Sequence, residues 1–320
     1  MKKLISSLFV ALAMLTSCEK GVTMDSTGDN SPATSQNTVP VTLSFFDVSM
    51  EDLTTPGSRA DEDEGETATD ENASDLKKGK YFTRLSIAIF PLSEYAGEER
   101  HIEQDSIQED FGRLSINLPV GKYQLIAVAY TGDNPVNIES PTLATYEGNH
   151  KVRDMVYASM ELDINNPHPT FSCPMDRAIT AFTLASHEIF PKWAKAARAT
   201  FKSHCSYQFN PATSFNTGAK EYSSAVELSE DYVYQDGIPR KITFYTFLDQ
   251  AERNDVEIVV DLLDGEGNVQ HSLNFENVTL VQKKRSTYTG RLFSGDTNGE
   301  FTTDIIGGNS LTDNDLQFTF

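Results

Sequence analysis

The chain is poor in the residues from which reactive centres are built. Its 320 residues hold three cysteines, one tryptophan and six histidines. There is no His-Glu-x-x-His, no Cys-x-x-Cys, no Gly-x-Ser-x-Gly and no phosphate-binding glycine loop. The histidines are scattered; His101 lies near Glu99 and Glu103, and His187 precedes Glu188, so each has a carboxylate close by in sequence. The acidic turns at Asp261–Asn268 and Asp313–Asp315 lack the full calcium-loop pattern. Metal, cofactor and nucleophilic chemistry therefore have no positive support. A glycosidase stays open on principle only, because its two carboxylates need no local spacing. Positive charge is scarce as well. Lys and Arg total 26 against 47 Asp and Glu, a net charge of −21. That balance argues against nucleic acid as a partner, since phosphate binding needs a basic face. It suits a soluble body outside the cytoplasm, kept from self-association by like charge.

Long apolar runs are missing too, apart from one at the start. Lys2 and Lys3 precede an apolar stretch from Leu4 to Leu15, interrupted only by Ser6 and Ser7. A basic start followed by a short apolar segment is the layout of a secretory signal, here residues 1–17. The run is too short to span a bilayer, which takes about 20 residues. It ends in Leu15-Thr16-Ser17-Cys18, which resembles a bacterial lipobox. That resemblance implies cleavage before Cys18 and acylation of its thiol. Each buried CH₂ contributes about 0.8 kcal/mol, so several chains hold a protein on a membrane without a spanning helix. Residues 18–40 are mostly Ser, Thr, Asp, Asn, Gly and Pro and read as a tether. The other two cysteines, Cys173 and Cys205, can form one disulfide or stay as two buried thiols, and both readings are open.

Beyond the tether the dominant period is two. Val41, Leu43 and Phe45 alternate with Thr42, Ser44 and Phe46, a first strand over Val41–Met50. A polar loop over 54–80 follows, in which Arg59 precedes eight acidic residues before Lys77. Such a like-charged block repels itself and stays solvated, leaving Arg59 accessible, either as an incidental loop arginine or as a protease maturation site. Leu85, Ile87 and Ile89 form one strand face and Leu114, Ile116 and Leu118 another. After the turn-type sequence Pro119-Val120-Gly121-Lys122, Tyr123–Tyr130 is apolar on both faces, as a central strand must be. Met160, Leu162 and Ile164 close a first domain over 41–166, and Pro167 and Pro169 mark its boundary with a second over 167–320. In the second domain strands are expected at Ala178–Leu184, Ala225–Leu228, Ile242–Leu248, Val256–Leu263, Val269–Phe275, Val278–Val281, Ser286–Phe293 and Phe301–Ile305. Asp264-Gly265-Glu266-Gly267-Asn268 reads as a hairpin turn. One short helix is expected from Pro191 to Lys202, because Trp193, Ala197 and Phe201 recur every four residues. Leu316, Phe318 and Phe320 alternate at the chain's end and need cover, within their own domain or on a sheet of another subunit.

Three segments carry a family resemblance. Leu118-Pro119-Val120-Gly121-Lys122-Tyr123-Gln124-Leu125-Ile126-Ala127 resembles a strand pair in the N-terminal domain of Bacteroidetes fimbrillins. Asp176-Arg177-Ala178-Ile179-Thr180-Ala181-Phe182 resembles the strand that opens their second domain. Val278–Phe293 looks like their closing hairpin, with Lys283-Lys284 in place of the usual Arg-Asn. The resemblance implies an all-β fold of two tandem transthyretin-like β-sandwich domains. It implies a non-enzymatic adhesion lipoprotein of the outer membrane, exposed at the cell surface and part of a fimbrium if processed. Its partners would be other fimbrial subunits, the membrane through its lipid, and a host or bacterial surface ligand, with no cofactor. In polymerising members an Arg-specific protease removes the first strand and a strand of the next subunit replaces it. Here that maps Val41–Met50 as the removable strand, Arg59 as the cut site and Leu316, Phe318 and Phe320 as the donor. Stalk, tip and anchor places all remain open. The alternative class is a surface glycan-binding lipoprotein, with Tyr222, Tyr232, Tyr234 and Tyr245 as the aromatics for a sugar platform.

Overall fold

The structure is a computed structural model, and it describes residues 37–47, 76, 82–93, 97–132, 135–146, 151–228, 240–293 and 302–306. Every regular element among them is a strand. In the first half these are β1 (Thr38–Asp47), β2 (Arg84–Pro91), β3 (Arg100–Asp105), β4 (Arg113–Pro119), β5 (Gly121–Tyr130), β6 (Val136–Ser140), β7 (Leu143–Tyr146), β8 (Met155–Ile164) and β9 (Thr170–Arg177). The second half adds β10 (Thr180–Ser186), β11 (Ala196–Phe201), β12 (Cys205–Ser206), β13 (Gln208–Phe209), β14 (Tyr222–Glu227), β15 (Arg240–Leu248), β16 (Glu252–Leu263), β17 (Val269–Val281), β18 (Arg285–Thr289) and β19 (Thr302–Ile306).

One face of β3-β2-β5-β8 lies over β4-β1-β9. Leu85, Ile87 and Ile89 of β2 and Leu125, Ala127 and Ala129 of β5 share a core with Val41, Leu43 and Phe45 of β1 and Cys173 and Met175 of β9. The even-numbered neighbours Ala88, Phe90, Ile126, Val128 and Tyr130 are buried on the opposite face. There they join a core built from β6, β7 and the second half of the chain. This explains why Tyr123–Tyr130 is apolar throughout: β5 is flanked by β2 and β8 and covered on both sides.

The strand pairing of the first half recurs in the second. β1 runs antiparallel to β4 and parallel to β9; β10 runs antiparallel to β15 and parallel to β18. The order β3-β2-β5-β8 has its counterpart in β14-β11-β16-β17. The second half adds β19 on the outer side of β18.

One expectation is corrected. The segment expected to be a helix over Pro191–Lys202 is a turn followed by strand β11, with Ala197, Ala199 and Phe201 buried in alternation. A spacing of four fits a strand as well as a helix, because four is a multiple of two. β11 is then fixed by pairing along both edges, with β14 and β16. Beyond Pro167, β9 pairs with β1, Thr42 to Asp47 against Thr170 to Met175. Val269–Phe275 and Val278–Val281 are one strand, β17. Its register slips opposite Val256 and Ile258, and Asn277 takes a left-handed φ of 55° there. The extra residue is a β-bulge, and Asn tolerates that backbone region better than most residues.

Candidate functional site

The sequence singles out β1, and the structure gives it an unusual seat. It is the first strand among the described residues yet lies inside a sheet, between β4 and β9. Thr38 to Ser44 pair with Pro119 to Arg113 on one side, and Thr42 to Asp47 with Thr170 to Met175 on the other. Main-chain bonds from Thr42 N to Pro169 O (3.0 Å) and Phe45 N to Gly112 O (2.8 Å) tie it to both flanks. Val41, Leu43 and Phe45 point into the core at 0, 0 and 2 % exposure, while Thr42, Ser44 and Phe46 are half-buried. Burying side chains of this size contributes about 2 kcal/mol each. β1 is thus a core strand held by two ladders and three apolar anchors. Taking it away would leave the edges of β4 and β9 facing each other across one strand's width, with an apolar trough beneath.

Parallel pairing with β9 was not legible in the sequence. Phe171, Cys173 and Met175 do alternate, but Pro167, Pro169 and Pro174 interrupt the signal. Pro174 pairs in register with Phe46. In a parallel ladder where Thr42 N bonds Pro169 O, Pro174 turns its nitrogen away from β1, so no ladder bond is lost.

The other predicted site residues divide sharply. Cys18, Arg59, Leu316, Phe318 and Phe320 lie outside the described residues, as do Tyr232 and Tyr234. Cys173 and Cys205 are both free and buried. They are not joined because they sit in different cores, Cys173 beneath β1 and Cys205 in the core of the second half. Burial pushes both thiols up to about 12, so neither is a nucleophile at neutral pH. Tyr222 and Tyr245 are buried rather than displayed, and the Tyr222 hydroxyl donates to the Tyr245 carbonyl (3.1 Å), which removes them from any sugar platform.

Three polar groupings were not anticipated. The buried Arg177 guanidinium forks onto the Asp154 carboxylate at 3.1 and 3.2 Å, at the point where the chain leaves β9 for β10. His204 lies 3.0 Å from Asp249 and 3.3 Å from Asp255, with Arg253 bridging to Asp249 at 2.7 Å. Ser86 donates to Glu103 (2.8 Å) in a cavity of about 270 Å³ that His101 and Asn137 also line, and burial raises the Glu103 carboxyl. The Ser86 hydroxyl is engaged by Glu103 and by the Tyr130 hydroxyl (3.2 Å), which does not prepare it for attack. No group of three or more His, Cys, Asp or Glu side chains among the described residues is placed to hold a metal ion.

The sequence matches no protein-family profile and no curated protein. Solved structures of similar backbone include the tip fimbrial protein Mfa3 from Porphyromonas gingivalis, at TM-score 0.39 and 9 % identity, covering 84 % of this chain and 99 % of that one. The fimbrial anchor protein Mfa2 from the same organism gives 0.41 and 11 %, over 84 and 97 %. A candidate adhesin from Bacteroides ovatus gives 0.45 and 11 %, over 85 and 93 %.

Proposed function

We propose that the chain is a fimbrial or adhesion lipoprotein that joins other subunits by exchange of a strand. Its two halves are read as tandem transthyretin-like sandwiches, since each places its first strand between an antiparallel and a parallel neighbour. The observation that carries the reading is the seat of β1. The first strand among the described residues, followed in sequence by a long polar link with Arg59 in it, fills an interior slot of the first sheet. One cut at Arg59 converts β1 from a covalent part of the fold into a bound peptide. Its loss exposes the ladder groups of β4 and β9 and the pockets of Val41, Leu43 and Phe45, which an alternating strand can satisfy. Leu316, Phe318 and Phe320 have that alternation. Cys18 holds the precursor on the outer membrane until the cut frees the body. In an anchor subunit the lipid and β1 would both stay.

The test is processing and assembly together. Purified precursor is treated with an Arg-specific protease, its new N-terminus is read by mass spectrometry, and the product is imaged by negative stain. Cleavage after Arg59 followed by linear polymers is the expected result. Cleavage there without any association would reject strand exchange.

A further inference from the structure

The cavity of about 270 Å³ lies at the edge of the first sheet, between β6 and the strands β2 and β3. Ser86 of β2, His101 and Glu103 of β3, and Pro135, Asn137 and Ile138 line it. The pairing of β2 with β3 explains how these side chains meet. Arg84 lies opposite Asp105, and Ser86 opposite Glu103. The Ser106 N–H donates to the Thr83 carbonyl at 2.9 Å, one residue outside the Arg84–Asp105 pair. In an antiparallel ladder this makes Arg84–Asp105, and two residues on Ser86–Glu103, pairs of the kind without hydrogen bonds, whose side chains stand closest. The Ser86 hydroxyl accordingly donates to the Glu103 carboxylate at 2.8 Å. The same alternation turns the main-chain N–H and C=O of His101 and Glu103 away from β2. Among the described strands β3 is the last at its end of the sheet, so those groups face an open edge. Burial raises the Glu103 carboxyl. Arg84, whose charge acts on it, is paired with Asp105 at 2.8 Å. Among the described residues no Lys or Arg forms an ion pair with Glu103 itself. Residues 133 and 134, outside the described residues, are Asp and Asn, so the chain next to Pro135 brings no positive charge.

We propose that this edge pairs with an extended segment of another protein and draws one lysine side chain of that segment into the cavity. The ammonium meets the Glu103 carboxylate and the Asn137 side-chain carbonyl, and the methylene stem lies along Pro135 and Ile138. Charge argues for a cation, since a carboxylate lines the cavity and the chain's net charge of −21 attracts cations. The open edge argues for a peptide. Main-chain bonds to His101 and Glu103 supply affinity, and the pocket selects the side chain that alternation brings to its face. An amino sugar would use the carboxylate but leave the strand edge idle. Arginine recognition by a carboxylate is frequently bidentate, and Ser86 already occupies one Glu103 oxygen, which favours the single-point ammonium of lysine. β3 lies at the opposite end of the sheet from β1 and β4, so this site stands or falls independently of strand exchange.

The detergent-solubilised full chain, uncut and with β1 in place, is titrated at physiological salt into a fluorescent peptide, acetyl-Thr-Val-Thr-Lys-Thr-Val-Thr-amide. The expected result is a saturable rise in anisotropy that D-glucosamine does not reverse. A peptide with norleucine for lysine should bind about tenfold more weakly, the loss expected for one charge-assisted contact. Glu103→Gln should cost about the same factor. It alters a net charge of −21 by one, so a loss of that size reports on the site rather than on general attraction. His101→Lys sets a like charge beside the ammonium and should weaken binding several-fold. Both positions are exposed, and both variants should keep the melting temperature of the parent. The absence of a saturable rise overturns the proposal. Equal binding of the norleucine peptide or of an arginine peptide overturns it too, as does displacement by D-glucosamine. Undiminished binding by the Glu103→Gln, His101→Lys double variant does the same.

Discussion

Cys173 and Cys205 show how a residue's surroundings decide its chemistry. Both are compatible with a disulfide by composition, since an exported chain with two such cysteines commonly oxidises them. The structure places them in separate cores and surrounds each with apolar side chains. With both thiols at about 12, the thiolate fraction at neutral pH is negligible. Neither thiol should react with a thiol-specific chromogenic reagent in the native protein, and both should react once it is unfolded in guanidinium. Rapid labelling of either one without denaturant would contradict this placement. Arg177 teaches the complementary lesson. Its guanidinium is fully buried, and Asp154 meets it with both oxygens, so the charge is paired where it is desolvated.

At the scale of elements, the hairpin between β16 and β17 depends on Asp264. Its carboxylate accepts the backbone N–H of Glu266 and Asn268, each at 2.9 Å, and the Gln270 amide at 2.7 Å. The Asn268 N–H foremost holds the carboxyl below the ordinary Asp range. A carboxyl whose folded value is depressed releases its proton more readily in the native state. Its contribution is therefore present above about pH 4 and fades as pH falls through the lower folded value. Asp264→Ala should lower the melting temperature at neutral pH, and its deficit should shrink steadily below about pH 4. A deficit independent of pH would show that the ionised carboxylate is not what the turn uses. The strands on either side of this turn were legible because each alternates over many residues, and so was β1, whose buried set is Val41, Leu43 and Phe45 as its pattern predicts. Other elements were not legible for definite reasons. β11 shares the four-residue spacing of a helix, and only its two flanking ladders decide between them. β9 is broken up by prolines that an outward-facing edge position tolerates. β12 and β13 are two residues each, shorter than any periodic signal.

For the whole molecule, the duplication of one pairing scheme is the informative feature. In the second half the parallel strand β18 carries β19 on its outer side; the first half places no counterpart beside Thr170–Met175 among the described strands. β1 holds the place in the first half that β10 holds in the second, between an antiparallel and a parallel neighbour. No local motif announces such a site, because the flanking strands β4 and β9 are separated by fifty residues and are bridged by β1. What the sequence does carry is the pair of features that make the strand separable in principle, its alternation and the arginine-bearing link behind it.

The most direct measurement is therefore of the slot itself. The chain is cut with an Arg-specific protease, freed of its N-terminal fragment, and mixed with a fluorescent peptide of the sequence Thr38–Asp47. Anisotropy should rise saturably for the cut chain, stay flat for the uncut chain, and fall when a peptide spanning Leu316–Phe320 is added as competitor. A cut chain that keeps its first strand against every competitor, or that binds neither peptide once the strand is gone, would contradict the account.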